Sequence, residues 1–181
     1  MRVISGTARG TKLESLEGLS TRPTIDRVKE GIFSSIQFMV PGAMVLDLFA
    51  GSGQMGIECL SRGAEKAVFV DSNKDAANIV IKNLKSCGVF DKARVANMSA
   101  QDFLLTTKDK FDLVFLDPPY NMGILDEIIE KVYQITADGG IIMAESELDW
   151  SLKNEIEGLR EVKKYKYGKV SVTKFLKEKD I

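Results

Sequence analysis

Histidine is missing altogether from the 181 residues. Without an imidazole the chain can build neither a Ser-His-Asp nor a Cys-His nucleophile, no HExxH metalloprotease, and no zinc site that needs a histidine ligand. Cysteine is nearly as scarce. Cys59 and Cys87 are the two present, too few for a thiolate metal site or for the framework of a small secreted domain, and they read as reduced, buried thiols. No metal is expected. No apolar run approaches the ~18 residues of a membrane span, and Met1-Arg2-Val3-Ile4-Ser5-Gly6 lacks the apolar core of a secretory signal. The expected compartment is the cytoplasm. Repeats, low-complexity tracts and Pro/Ser-rich linkers are also absent. At ~100–200 residues per domain the chain reads as a single domain over 1–181, with an N-terminal β-extension at 1–23 and a core at 24–181.

What is present is ordinary globular composition, 44% hydrophobic and 28% charged, which argues against disorder. The net charge of −1 conceals an uneven distribution. Residues 1–13 carry Arg2, Arg9 and Lys12 with no acid, while 163–181 carry seven lysines against Glu178 and Asp180. Basic termini on an acidic body could meet a phosphate backbone, although charge runs are more often solvated surface. The segment from Lys163 to Lys169 interleaves tyrosines with lysines, and there the edge-strand reading leads, since lysine on an edge prevents aggregation.

Apolar runs at Met44–Phe49, Ala67–Val70, Arg94–Ala96, Leu113–Leu116 and Ile141–Ala144 read as strands. Between them, Ala76, Ala77, Val80, Ile81 and Leu84 share one helical face, as do Ile124, Ile128, Ile129 and Val132. Such alternation predicts an α/β fold with a parallel sheet covered on both sides. Toward the end of the chain, Glu161–Tyr167 and Lys169–Leu176 are joined around Gly168 with no helix between them, the pattern of an antiparallel hairpin. Before the core, Arg2–Ser5 and Thr11–Leu13 can pair as a small β-extension. Ile25, Val28, Ile32, Phe33 and Ile36 form the stripe of a helix that starts at Pro23-Thr24.

The end of the first core strand carries Asp47-Leu48-Phe49-Ala50-Gly51-Ser52-Gly53-Gln54-Met55-Gly56, which contains GxGxxG, with Asp71 twenty residues after Gly51. Glycines let the backbone turn sharply and approach a ligand, and an acid ending the second strand can accept both hydroxyls of a ribose. These properties suit any adenosine-containing ligand. Asp47 narrows the choice: a carboxylate just before the turn repels a pyrophosphate and attracts the ammonium group of a methionine moiety, which favours S-adenosylmethionine over a nicotinamide dinucleotide. Asp71 competes with a capping role for the helix that begins near Lys74. On the third crossover Asp102 can receive an adenine amine, or it can complete a cap with Ser99.

The fourth strand ends in Asp117-Pro118-Pro119-Tyr120-Asn121, at the edge where such sheets bind ligands. Consecutive prolines end the ladder and hold nearby carbonyls in fixed directions. An exocyclic aromatic amine is a poor nucleophile because its lone pair is delocalised into the ring. If Asp117 and the Pro118 carbonyl each accept one of its N–H bonds, the nitrogen is drawn toward tetrahedral geometry, and Tyr120 can stack on the base. Direct methyl transfer needs nothing more.

Taken together, these segments resemble the RsmD-like RNA methyltransferases, which methylate the exocyclic N2 of a guanine in bacterial 16S rRNA. The resemblance rests on Met1–Gly6, on Thr21-Arg22-Pro23-Thr24-Ile25-Asp26-Arg27-Val28-Lys29-Glu30, on Asp47–Gly53 and on Asp117–Tyr120, and it spans nearly the whole chain. It implies a Rossmann-like class I methyltransferase with seven strands in the order 3-2-1-4-5-7-6, the last one antiparallel. It also implies that Asp47, Gly51 and Gly53 hold the methionine part of S-adenosylmethionine, Asp71 the ribose and Asp102 the adenine. Phe49, Ala50, Ser72 and Gln101 complete the cofactor set, and Asp117, Pro118, Pro119 and Tyr120 meet the target base. Arg2, Arg9, Lys12, Arg22 and Arg27 are the candidates for RNA contact. The expected partner is 16S rRNA in a 30S subunit or its precursor, with the protein a monomer. Adenine-N6 methylation of DNA or RNA, and a noncatalytic role in ribosome assembly, are the competing readings.

Overall fold

The computed structural model describes residues 1–16, 23–119 and 123–179, so that Arg22 and Tyr120 lie outside the described residues. Helix α1 (Pro23–Ile36) precedes β1 (Met44–Leu48), α2 (Gln54–Ser61), β2 (Lys66–Asp71) and α3 (Lys74–Ser86). A short 3-10 turn (Phe90–Lys92) leads into β3 (Ala93–Asn97), then α4 (Ala100–Thr106), β4 (Phe111–Leu116), α5 (Ile124–Ile135) and β5 (Thr136–Glu147). The chain closes on the hairpin β6 (Leu159–Tyr167) and β7 (Val170–Lys177). The strands form one sheet in the order β3-β2-β1-β4-β5-β7-β6, as the resemblance implies. The first five are parallel to one another, and β7 runs antiparallel to both its neighbours.

Alternation of side chains across each strand divides the core in two. On one face, Val45, Phe69, Phe115, Met143 and Val172 pack with Val28, Ile32 and Phe33 of α1, Ile57 of α2 and Val80 and Leu84 of α3. On the other, Leu46, Val68, Val114, Ile142 and Phe175 pack with Phe103 of α4 and Ile128 and Val132 of α5. The central strands β1, β2 and β4 and the apolar part of β5 are thus buried on both sides, which is why they read as continuous apolar runs. β5 starts five residues before its apolar run, because Thr136–Gly140 extends along β4 across a register shift, and no hydrophobic pattern marks that stretch.

The N-terminal extension is less regular than expected. Among the described residues it holds a single bridge, Arg2 to Lys12, flanked by the hydrogen bonds Val3 N–H to Thr11 and Gly10 N–H to Val3. What fixes it is Glu58, fully buried in α2. Its carboxylate accepts from the Ile4 and Ser5 N–H groups, both at 2.9 Å, from Lys29 at 3.0 Å and from Arg62 at 2.8 Å. Lys29, equally buried on the apolar stripe of α1, also donates to the Arg2 carbonyl. One side chain thus ties α1, α2 and the extension together. At the far end of α2 the Ser61 hydroxyl donates to the Ser5 carbonyl and accepts from the Ala8 N–H. A Cβ on Gly6 would sit 1.8 Å from the Ser61 carbonyl oxygen, so the close approach requires glycine there.

Burial works to raise the pKa of Glu58, but the Ile4 amide, Lys29 and Arg62 outweigh it and hold the pKa below 4.5. The stabilisation is therefore complete above that pH and is lost as pH falls through the depressed value. Replacing Glu58→Gln leaves Lys29 a buried cation without its counter-charge. The expected cost is about 3 kcal/mol or more in denaturant unfolding, a melting point lower by roughly 6–12 °C.

Candidate functional site

β1 and β4 are neighbours whose helices cross to opposite faces, so their carboxyl ends open the crevice where ligands bind in such sheets. The chain leaves β1 through a loop of unusual backbone. Phe49 (φ 84°), Gly51 (φ 55°) and Gly53 (φ 76°) are all left-handed, and a non-glycine residue in that region persists only where its surroundings impose it. The surroundings can be named. The N–H groups of Phe49 and Ala50 both donate to the Val70 carbonyl, and the Gly51 N–H donates to Asp71 Oδ2 at 2.9 Å. Asn83, buried on α3, donates from Nδ2 to the Ser52 carbonyl at 2.9 Å and to the Glu14 carbonyl at 3.0 Å, while its Oδ1 accepts the Glu14 N–H.

The three glycines of the fingerprint do different work. A Cβ on Gly56 would lie 2.4 Å from the Phe69 ring, and one on Gly53 3.2 Å from Val80. These two glycines let α2 lie close against β2 and α3. Nothing lies within 4 Å of a Cβ on Gly51, so the loop keeps an open face there.

Asp47 is buried, and its Oδ2 accepts the Gly56 N–H in the first turn of α2 at 2.9 Å. The helix terminus that would cradle a phosphate is therefore already occupied by a carboxylate of the chain itself. A pyrophosphate fits poorly beside it, whereas a sulfonium with its ammonium group fits well. The charges around it sharpen this preference. Burial raises the pKa of Asp47 to about 7, against the pull of the Gly56 amide and with a further push from Asp71. Asp117 is exposed on one flank yet crowded by protein on the others. Desolvation first, then the charges of Glu145 and Asp47, lift its pKa above the ordinary carboxylate range. Pro118 beside it is buried and Pro119 exposed.

Asp71 does not cap α3. Asn73 does so, its side chain accepting from the Asp75 and Ala76 N–H groups. Asp71 instead accepts one backbone N–H on each oxygen, from Gly51 and from Asn73, which orients it at the loop and leaves further lone pairs for hydroxyl groups. Asn97 pins the same corner by donating to the Asp71 and Ser72 carbonyls. On the third crossover the cap is formed: Ser99 accepts the Asp102 N–H and its hydroxyl donates to Asp102 Oδ2 at 2.7 Å. Gln101, Asp102 and Ser72 are exposed.

The basic candidates divide by position. Arg2, Arg9, Lys12 and Arg27 are exposed, and Arg2 lies 3.8 Å from Asp26. The turn that carries Arg9 docks on Ser61, at the opposite end of α2 from the glycine loop, about 12 Å along an eight-residue helix. The structure therefore separates Arg9 from Asp117 by the height of the sheet. Two residues of the region went unread in the sequence. Asn83 is a polar residue on the buried stripe of α3, and Glu145 is an acid immediately after the apolar run of β5, whose charge acts on Asp117.

The family model described as "Conserved hypothetical protein 95" matches residues 1–176. The chain belongs to this family. Within it, ribosomal RNA small subunit methyltransferase D of Escherichia coli is 36% identical over 166 residues, covering 86% of this chain and 83% of that protein. YlbH of Bacillus subtilis, itself only provisionally named an rRNA methyltransferase, is 39% identical over 182 residues, 98% and 99% of the two chains. The solved structure of yhhF from Escherichia coli, provisionally titled a methyltransferase, superposes with a TM-score of 0.88 at 32% identity over 99% of both chains. The family's sheet, with antiparallel β7, is that of the class I S-adenosylmethionine-dependent methyltransferases.

A cationic ligand favours the ionised forms of Asp47 and Asp117 and displaces their protons. S-adenosylmethionine is therefore expected to bind more tightly as pH rises from 6 to 8, with proton release measurable by calorimetry in buffers of different ionisation enthalpy. Asn83→Ala, which frees the Ser52 carbonyl and the Glu14 segment, is expected to weaken that binding by about tenfold.

Proposed function

We propose that the protein transfers a methyl group from S-adenosylmethionine to the exocyclic N2 of a guanine in bacterial 16S rRNA, acting in the cytoplasm on the 30S subunit or its precursor. The observation that carries this reading is the grouping of Asp117, on its proline-stiffened segment, with Asp47 beside the open face of the loop at Gly51. Membership of a family that includes a named small-subunit rRNA methyltransferase supports the substrate.

Bound S-adenosylmethionine supplies an electrophilic methyl group on a positively charged sulfur. Asp47 holds the ammonium end, with Gly51 and Gly53 shaping the loop around it, Asp71 accepts the ribose hydroxyls and Asp102 the adenine amine. Phe49, Ala50, Ser72 and Gln101 border the same ligand. A guanine flipped out of its stack places its amine between the Asp117 carboxylate and the Pro118 carbonyl, each accepting one N–H. Held in this way the nitrogen turns its lone pair out of conjugation and toward the methyl carbon. The N–C bond forms as the C–S bond breaks, its electron pair staying on sulfur, and the surplus proton leaves through Asp117 to water. Pro119 and Tyr120 are the proposed walls for the base. Arg2, Lys12, Arg22 and Arg27 are the proposed phosphate contacts, and Arg9 can meet only RNA that reaches the opposite edge.

In this scheme Asp117 works ionised. Because its pKa is raised in the free protein and lowered beside a cation, the acid limb of kcat/KM is expected at higher pH than that of kcat. Asp117→Ala is expected to cut methyl transfer by about 10³-fold while the variant still binds S-adenosylmethionine, with a weaker dependence on pH. Mass analysis of nucleosides from 30S particles of cells lacking the protein checks the target. One N2-methylguanine should disappear, return with the wild-type chain and stay absent with Asp117→Ala. Loss of an N6-methyladenine instead, or of no methylated nucleoside, would overturn the assignment.

A further inference from the structure

β6 is the outer strand of the sheet, and its direction decides which end of it neighbours the site. Because β7 runs antiparallel to both β5 and β6, β6 points the same way as β4 and β5. Its last residue, Tyr167, therefore lies at the edge that carries Asp117. Three strand spacings separate β6 from β4, about 14 Å, so the turn at Gly168 stands on the same edge as the site and within reach of a strand whose target base occupies it. The tip is also held in place. Tyr165 and Tyr167 pack against the core beneath α1, their rings nearly parallel with centroids 6.5 Å apart. The Tyr167 hydroxyl lies 2.5 Å from where a Cβ on Gly31 would be, so the absence of a side chain there lets the hairpin seat on α1. Arg27, one turn before Gly31 on the same side of α1, is exposed.

Lysine guards an outer strand against edge-to-edge pairing wherever along the strand it falls, so its position shows what else it does. At the far end of the hairpin the charges cancel: Arg160 pairs with Glu178 at 2.9 Å, and Glu161 is its neighbour. From Lys163 to Lys169 there are four lysines and no acid. Two have partners of their own, Lys163 over the Tyr165 ring at 5.0 Å and Lys164 on the Trp150 carbonyl. Lys166 and Lys169 are exposed, and neither makes an ion pair among the described residues. The hairpin thus concentrates its uncompensated positive charge at the tip, on the edge of the site. We propose that Lys166 and Lys169, together with Arg27, hold the phosphates of the RNA strand that leaves the flipped guanine and crosses β5 and β7 toward the outer edge of the sheet. This rests on the methyl-transfer reading of the preceding section and adds to it an RNA contact far in sequence from the N-terminal extension. Phosphate contacts position a strand without reading its bases, so these lysines act on KM and leave the chemical step alone.

The test uses the full-length protein and 30S particles from cells that lack it. Each phosphate contact to a single strand contributes about 0.7 to the slope of log affinity against log salt concentration. The double variant Lys166→Gln, Lys169→Gln is therefore expected to lose about 1.4 from the salt slope of kcat/KM. Its KM should rise about tenfold at roughly 0.15 M salt, with kcat, S-adenosylmethionine affinity and melting point unchanged. Lys108→Gln, which removes an exposed lysine just before β4 at the opposite edge, is expected to behave as the wild type. Hydroxyl-radical footprinting reads the RNA backbone directly. At saturation the wild-type chain should protect the backbone beside the modified guanine, and the double variant should leave part of that stretch exposed. The inference alone falls if the double variant keeps the wild-type salt slope and KM, or if Lys108→Gln loses as much. It falls equally if KM rises with the footprint unchanged, which would set the hairpin against a ribosomal protein. A wild-type chain that transfers no methyl group to guanine in these particles overturns the inference together with the reading beneath it.

Discussion

The hydrogen bond from the Gly56 N–H to Asp47 joins the end of β1 to the first turn of α2, and much of the molecule's chemistry follows from it. It places a carboxylate in the interior with no cation paired to it among the described residues. It also fills the anion-binding terminus of α2 from within. A loop that matches a dinucleotide fingerprint in spelling is thereby converted into one that seeks positive charge. Burial first, and then the nearness of Asp71 to Asp47 and of Glu145 to Asp117, make it costly to ionise these acids without a neighbouring positive charge.

Glu58 shows the opposite treatment of a buried acid. Two cations and two backbone amides surround it, its pKa falls, and its role is to lock α1, α2 and the extension into one body. The contrast is physical. Donors placed around a carboxylate make it structural, whereas donors withheld from it leave a demand that a ligand can meet. Asn83 links the two regions, bonded on one side to the loop at Ser52 and on the other to the chain at Glu14.

Strand periodicity made the sheet legible, because residues buried on both faces leave unbroken apolar runs. Gly168 marked the final hairpin for a different reason, as a turn residue of left-handed backbone between two extended runs. The start of β5 was illegible since Thr136–Gly140 pairs by backbone alone across a register shift. The cap at Ser99 was readable as an alternative, while the cap on α3 belongs to Asn73, two residues past the acid that sequence spacing singled out. Asp47, Gly51 and Asp117 stood out because motifs name them. Asn83 did not, since it is a polar residue inside an apolar helical stripe whose partners come from distant parts of the chain, and Glu145 did not, since it follows an apolar run and belongs to no motif.

The raised pKa of Asp47 links the stability of the fold to pH. Between the ordinary carboxylate value of 3.8 and about 7 the native state holds a proton that the unfolded chain gives up, so this residue makes the ligand-free fold progressively less secure as pH climbs through that window. A bound cation offsets the deficit by mass action. At neutral pH, ionisation of Asp47 beside a bound cation therefore adds to the stabilisation that the ligand confers on the fold.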